Sequence, residues 1–267
     1  MTFEQIIYEK TGGIATITLN RPERMNAFTP VMLDEWYASL QDVHLDPDVG
    51  VVILTGAGRG FCAGADMSGE GVTGIIDRAR THVENRNFLR DSVQRIPRLV
   101  SIMEKPYIAA VNGAAVGAGM DMASMCDIRF AADSARFGMT YVRMGLIPGD
   151  GGCYFLPRIV GMARALDLIW SGRLFDAQEA LAMGYVSAVV PADELMDYTR
   201  EYATRLVNGP AVAIQQAKRL AYRSQELSLD AALDLAQQAM FIAQSTEDSR
   251  EGPRAFAEKR EPEFKGR

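Results

Sequence analysis

Three side chains able to move protons lie close together in the sequence: Asp121, Tyr141 and Asp150. They fall in residues 108–152, IAAVNGAAVGAGMDMASMCDIRFAADSARFGMTYVRMGLIPGDGG. An apolar β-type run ends at Asn112-Gly113, and a Gly/Ala segment then leads into a helical pattern that carries Asp121. Tight packing alone would explain the glycines but does not call for a carboxylate in so apolar a segment. Asp121 is therefore a candidate general acid or base. A strand, a tight turn and a helix start also turn backbone amides outward. Gly117 and Gly119 carry no Cβ and Ala118 only a methyl, so a ligand can approach the main chain, and the helix N-terminus favours negative charge. That combination is what stabilisation of an oxyanion requires. Asp150 sits in a second Gly-rich turn, GLIPGDGG, with Tyr141 shortly before it. Two roles stand open for Asp150: a catalytic group, or a cap on the following helix through the amides of Gly152 or Cys153.

The elements that must position these groups read as α/β. Residues 3–8 and 13–20 form an expected hairpin, and Pro30 opens a helix whose Leu33, Trp36, Tyr37, Leu40 and Val43 make a core stripe. Residues 49–54, VGVVIL, read as a strand buried on both faces, running into the loop TGAGRGFCAGADM. Within it Phe61, Cys62, Ala63, Gly64, Ala65 and Asp66 resemble a nest of oriented amides. Alternating strands and helices predict right-handed crossovers and a mostly parallel sheet, with ligands at the C-terminal strand ends. Residues 68–74 read as a loose connection that either lines a substrate channel or is simply mobile. Asp176 and Gly184 are the expected caps of a helix, 186–190 a short strand, and from Asp193 onward the pattern is helical: 195–207, 211–223 and 229–244. This shift divides the chain into an α/β core, 1–192, and an α-helical C-terminal module, 193–267, whose apolar faces suit packing on another subunit.

Composition narrows the function. A net charge of −6 argues against general binding to nucleic acid or an anionic membrane, which would need a basic face. No apolar run spans a bilayer, and the N-terminal residues lack a signal-peptide core, so a cytoplasmic protein is expected. Cys62, Cys126 and Cys153 form no CxxC pair and the only histidines are His44 and His82, so no zinc set is expected and the cysteines read as buried small hydrophobes. GAGRG does not complete a GxGxxG fingerprint, and no GxxxxGK[ST] exists, which removes the phosphate loops of NAD and ATP enzymes.

Five blocks in order and spacing resemble the crotonase (enoyl-CoA hydratase/isomerase) superfamily over essentially the whole chain. They are LNRPERMNAF at 19–28, VVILTGAGRGFCAGADM at 51–67, KPYIAAVNGAAVGAGMDMASMCDIRFAA at 105–132, ARFGMTYVRMGLIPGDGG at 135–152 and REGPRAFAEKR at 250–260. The resemblance implies a crotonase-like spiral of ββα units with a C-terminal α-helical trimerisation module, assembled as a homotrimer or a dimer of trimers. It implies an acyl-CoA substrate, with coenzyme A entering as part of that substrate and no permanently bound cofactor. The two amides that hold the thioester oxygen map to Ala65 and Ala118. Contacts to CoA map to Arg24, Met25, Ala63, Asp66 and Met67, and from the tail to Phe256 and Lys259.

The sequence departs from the family's hydratases, whose two glutamates map to Asp121 and Tyr141. Asp121 keeps a carboxylate at the position where dienoyl-CoA isomerases of the family also carry Asp. An ordinary phenol titrates near ~10, so Tyr141 does not serve as a carboxylate base at neutral pH, although it donates a hydrogen bond readily. Asp150 stands in the turn where several non-hydratase members place a catalytic Asp. The reading is an enoyl-CoA hydratase/isomerase-type enzyme working through an oxyanion-stabilised enolate, with Asp121, Tyr141 and Asp150 as its catalytic set. Two alternatives remain: a non-hydratase such as a dienoyl-CoA isomerase or a retro-Claisen carbon–carbon hydrolase, and a non-catalytic acyl-CoA-binding subunit.

Overall fold

Strands β1 (Ile6–Thr11) and β2 (Ile14–Leu19) pair antiparallel across Gly12 and Gly13, both at positive φ. The computed structural model describes residues 3–66 and 81–266. From β2 onward the pairing is parallel through β3 (Val51–Gly56), β5 (Tyr107–Val111), β7 (Ile128–Ala132) and β10 (Ala188–Val190), giving the order β1-β2-β3-β5-β7-β10. A smaller sheet, β4-β6-β8-β9, joins β4 (Gly60–Cys62), β6 (Ala114–Val116), β8 (Arg136–Gly138) and β9 (Phe175–Asp176). These segments of two or three residues are too short to show a hydrophobic period, so the sequence gives no sign of them.

Eleven helices complete the described residues: α1 (Pro30–Leu45), α2 (His82–Phe88), α3 (Arg95–Ile102), α4 (Ala118–Ser124), α5 (Gly152–Val160), α6 (Met162–Ser171), α7 (Ala177–Ala182), α8 (Leu195–Val207), α9 (Ala211–Ser224), α10 (Leu229–Gln244) and α11 (Asp248–Glu258). The expected Asp176 cap is in place, accepting from the Glu179 amide at the start of α7, and Gly184 follows the C-cap residue Met183 at positive φ; at the start of α1 Thr29 accepts from the Met32 amide.

Every residue of β3 and β5 is buried, because helices cover both faces of the large sheet. Successive side chains take opposite faces. Val52, Leu54 and Ala109 join the larger core with Trp36 and Leu40 of α1, while Val51, Ile53, Ile108 and Ala110 meet Leu195 and Ala203 of α8. Truncating a side chain such as Ile53 to Ala would cost about 2–5 kcal/mol. Trp36 donates to the Tyr107 hydroxyl at 3.0 Å, satisfying both buried polar atoms.

Helices α9 and α10 differ from the rest. They pack on one another, bury no residue completely and leave Leu229, Leu233 and Phe241 exposed. Cys62 and Cys126 are buried as expected, but Cys153 is exposed, because it stands on the outer side of the first turn of α5. Among the described residues, no helix is long and apolar enough to cross a membrane, and no three His, Cys, Asp or Glu side chains group as a metal site.

Candidate active site

The short strand β6 delivers the chain to Gly117, whose φ of 56° turns it directly into α4. All seven residues of α4 are buried, Asp121 among them at 0% exposure. A Cβ at Gly119 would overlap the Cys62 carbonyl, so only glycine lets this helix lie against the end of β4. Asp121 follows Ala118 by one helical turn and therefore shares its face. Tyr141 comes from a 3₁₀ turn, Thr140–Met144, after β8. Asp150 sits just before α5, where Gly151 occupies the cap position and no side chain caps the helix. The capping role open to Asp150 on sequence grounds is therefore absent.

These three side chains meet. The Tyr141 hydroxyl oxygen is 2.7 Å from Asp121 Oδ2 and 2.9 Å from Asp150 Oδ2. A phenol has one proton to donate, so both contacts are hydrogen bonds only when one of the two carboxyl groups is itself protonated. The surroundings favour that state. Burial, then the Asp150 charge, holds the Asp121 carboxyl well above the usual range, against the opposing effect of the Tyr141 hydroxyl and nearby amides. Burial pushes Asp150 up to about 6, and the Tyr141 hydrogen bond partly counters it. Tyr141 is raised well above its ordinary value by burial and by the two carboxylates, which keeps the phenol protonated. The amides near Asp121 do not reach hydrogen-bonding geometry with its Oδ1, which is buried with no partner among the described residues, and Gly152 packs so closely that a Cβ there would overlap it. A protonated Asp121, an ionised Asp150 and a bridging phenol satisfy this inventory at neutral pH. Among the described residues no cation joins them.

The second amide-rich bend lies alongside. Phe28 forms an isolated parallel bridge with Ala65: its N–H donates to Gly64 O at 2.9 Å, and its carbonyl accepts from the Asp66 amide at 3.0 Å. In such a bridge the middle residue turns its own N–H to the opposite side. Neither the Ala65 nor the Ala118 N–H has a hydrogen-bond acceptor among the described residues. The bends adjoin, since a Cβ on Gly64 would stand 3.4 Å from Ala118 N. Two unpaired main-chain donors thus lie next to each other, with Asp121 one turn away.

The remaining expected residues divide. Arg24 and Ala63 are exposed beside this bend, Ala63 N donating to Met25 O at 3.0 Å, and Met25 adopts φ 51°. Asp66 is 6% exposed, with its carboxylate on Arg21. Phe256, 86% exposed, and Lys259, at the left-handed end of α11, lie on the helical extension and not in the Asp121 cluster. Met67 and the connection at 68–74 lie outside the described residues. Sequence reasoning overlooked Arg21 and Asn26. Asn26, buried at φ 55°, donates to the carbonyls of Ala57 and Gly60 and accepts from the Arg21 amide. An Asn placed shortly after the Arg21-Pro22 break, one of the few side chains that tolerates left-handed backbone, was the available signal.

Comparison with known proteins decides the lineage. The enoyl-CoA hydratase/isomerase family model matches residues 9–267. The chain belongs to that family. It is 39% identical over 269 residues to a short-chain-enoyl-CoA hydratase of Clostridium acetobutylicum, covering 100% of both chains. It is 38% identical over 266 residues to the 1,2-epoxyphenylacetyl-CoA isomerase of Escherichia coli, covering 99% of both. The crystal structure of an enoyl-CoA hydratase from Bacillus anthracis superposes with a TM-score of 0.91 at 34% identity, over 99% of this chain and 100% of that one. The relatives include both hydratases and isomerases.

Proposed function

We propose that this enzyme shifts the double bond of an enoyl-CoA thioester by proton transfer through an enolate, without adding water. The observation that carries this reading is the Tyr141 hydroxyl seated between Asp121 Oδ2 and Asp150 Oδ2. A hydratase must hold a water between ionised groups. Here the phenol takes that position and leaves the pair with one proton.

The ionised member, Asp150, accepts a proton from the carbon acid, and the electron pair moves onto the thioester oxygen. The Ala65 and Ala118 amides supply the oxyanion hole that stabilises it, a role supported by their adjacency and their lack of other acceptors. The protonated member, Asp121, then returns a proton to the other end of the allylic system. One carboxyl loses the proton that the other gains, so no water enters. Tyr141 stays protonated and couples the two. CoA contacts at Arg24, Met25, Ala63, Asp66 and Met67, with Phe256 and Lys259 contributed by a neighbouring subunit, fit a homotrimer or dimer of trimers. The exposed apolar side chains of α9 and α10 support such an assembly.

Incubating the enzyme with 3-hexenoyl-CoA in deuterated water tests this. Conversion to the 2-enoyl isomer with deuterium gained on carbon is expected. Formation of 3-hydroxyacyl-CoA from crotonyl-CoA, with no isomerisation of the 3-enoyl thioester, would overturn it in favour of hydration.

A further inference from the structure

Arg21 and Asp66 form an ion pair at 2.8 Å whose side chains are only 16% and 5% exposed. Neither takes part in the proton transfer, yet the pair sits against the bend that carries the Ala65 amide. The same guanidinium donates from Nη1 to the Ala27 carbonyl at 2.6 Å and from Nη2 to Asp66 Oδ2. Ala27 immediately precedes Phe28, and Asp66 immediately follows Ala65. One rigid fork therefore ties together the two strands of the Phe28–Ala65 bridge, outside the two backbone bonds that define it.

The segment behind Arg21 is itself braced. The Arg21 amide donates to Asn26 Oδ1 at 2.8 Å, and Asn26 Nδ2 donates to Ala57 O and Gly60 O at either side of the approach to β4. The guanidinium is thus fixed at its root as well as at its tip. Two main-chain hydrogen bonds on their own leave a bend free to pivot, and a donor that moves by ~1 Å loses much of its hold on a developing charge.

We infer that Arg21, through Asp66, is a positioning residue that fixes the Ala65 amide for the thioester oxygen. This rests on the oxyanion-hole role given to Ala65 above. A competing account is purely electrostatic: Arg21 would only offset the charge of Asp66, which would otherwise repel an enolate. The two accounts separate in a double variant. If the fork positions the loop, Arg21→Met and Arg21→Met/Asp66→Asn are equally impaired; if it only neutralises, the double variant recovers.

The experiment compares crotonyl-CoA with S-butyl-CoA, a thioether that lacks the carbonyl, by calorimetry and by the infrared carbonyl stretch of the bound thioester. In the wild type the stretch moves to lower frequency and the thioester binds more tightly than the thioether. In Arg21→Met that shift is lost and the preference for thioester over thioether falls by about 10-fold. A wild-type enzyme without any carbonyl shift would sink the oxyanion-hole reading itself. A shift retained in Arg21→Met, or restored in the double variant, would overturn the positioning role alone. Should Arg21→Met fail to fold, Asp66→Asn, which keeps the shape and removes the charge, is expected to lose the shift in part; full retention there counts against the proposal.

Discussion

Two aspartates, Asp121 midway along α4 and Asp127 just beyond its end, both bond a tyrosine hydroxyl and have opposite fates. Asp127 accepts from the Tyr222 hydroxyl at 2.8 Å, from the Tyr107 amide at 2.7 Å and from Lys218 Nζ at 2.7 Å. Its charge is matched, and it fastens α9 to the strand β5. Asp121 has a tyrosine too, but a second carboxyl group where Asp127 has lysine, and one oxygen with no partner. The difference lies in the neighbouring cation. A carboxylate with a cation and several donors is a structural tie; a fully buried one that shares a phenol with another acid is driven to hold a proton, which is the state a catalyst uses.

Exchanging each aspartate for asparagine breaks the comparison most sharply. Asp121→Asn is expected to lower kcat by about 10³-fold or more while melting at or above the wild-type temperature, whereas Asp127→Asn keeps the acid–base chemistry and loses about 1.5–3 kcal/mol as Lys218 and Tyr222 lose a charged acceptor. Steady-state kinetics and thermal melts on both variants decide it. Tyr141→Phe removes the bridge but leaves both acids, and a fall of about 10–10²-fold in kcat is expected, together with a changed pH profile. Gly152→Ala forces the Asp121 carboxyl aside, and about a 10-fold loss with about 1–3 kcal/mol of destabilisation should follow.

The smallest effect is on stability. The Asp150 carboxyl titrates near 6 in the folded protein, above an ordinary carboxylate near ~3.9. A raised folded value means that the fold prefers the protonated form. That stability is fully present below the ordinary value and is lost as pH rises through about 6. Asp150→Asn never ionises, so it should melt higher than the wild type at pH 7, by roughly 1–3 kcal/mol, with the advantage gone at pH 4. Activity runs the other way: kcat/KM of the wild type falls below about pH 6, as Asp150 takes up its proton.

Much of this was legible in the chain. Asp121 and Asp150 stood out because carboxylates in Gly-rich apolar stretches have little structural reason to be there, and the fully buried β3 and β5 announced themselves as unbroken apolar runs. What distinguishes Asp121 from Asp127 was not legible, because Lys218 and Tyr222 arrive from α9 by tertiary packing. Nor was the fork of Arg21: it joins residues far apart in sequence, and its partner Asp66 read as a CoA contact. That Asp150 does not cap α5 needed the backbone of Gly151, which no residue pattern supplies.

The Phe28–Ala65 bridge has a further consequence. It leaves one N–H without an acceptor among the described residues, between neighbours, Gly64 and Asp66, that are both fastened to Phe28. In hydrogen–deuterium exchange the Ala65 position should therefore label quickly within a slow-labelling bend, and slow down when a thioester oxygen settles on it. Occupancy of the pocket can then be followed at a single backbone position, with no need for turnover.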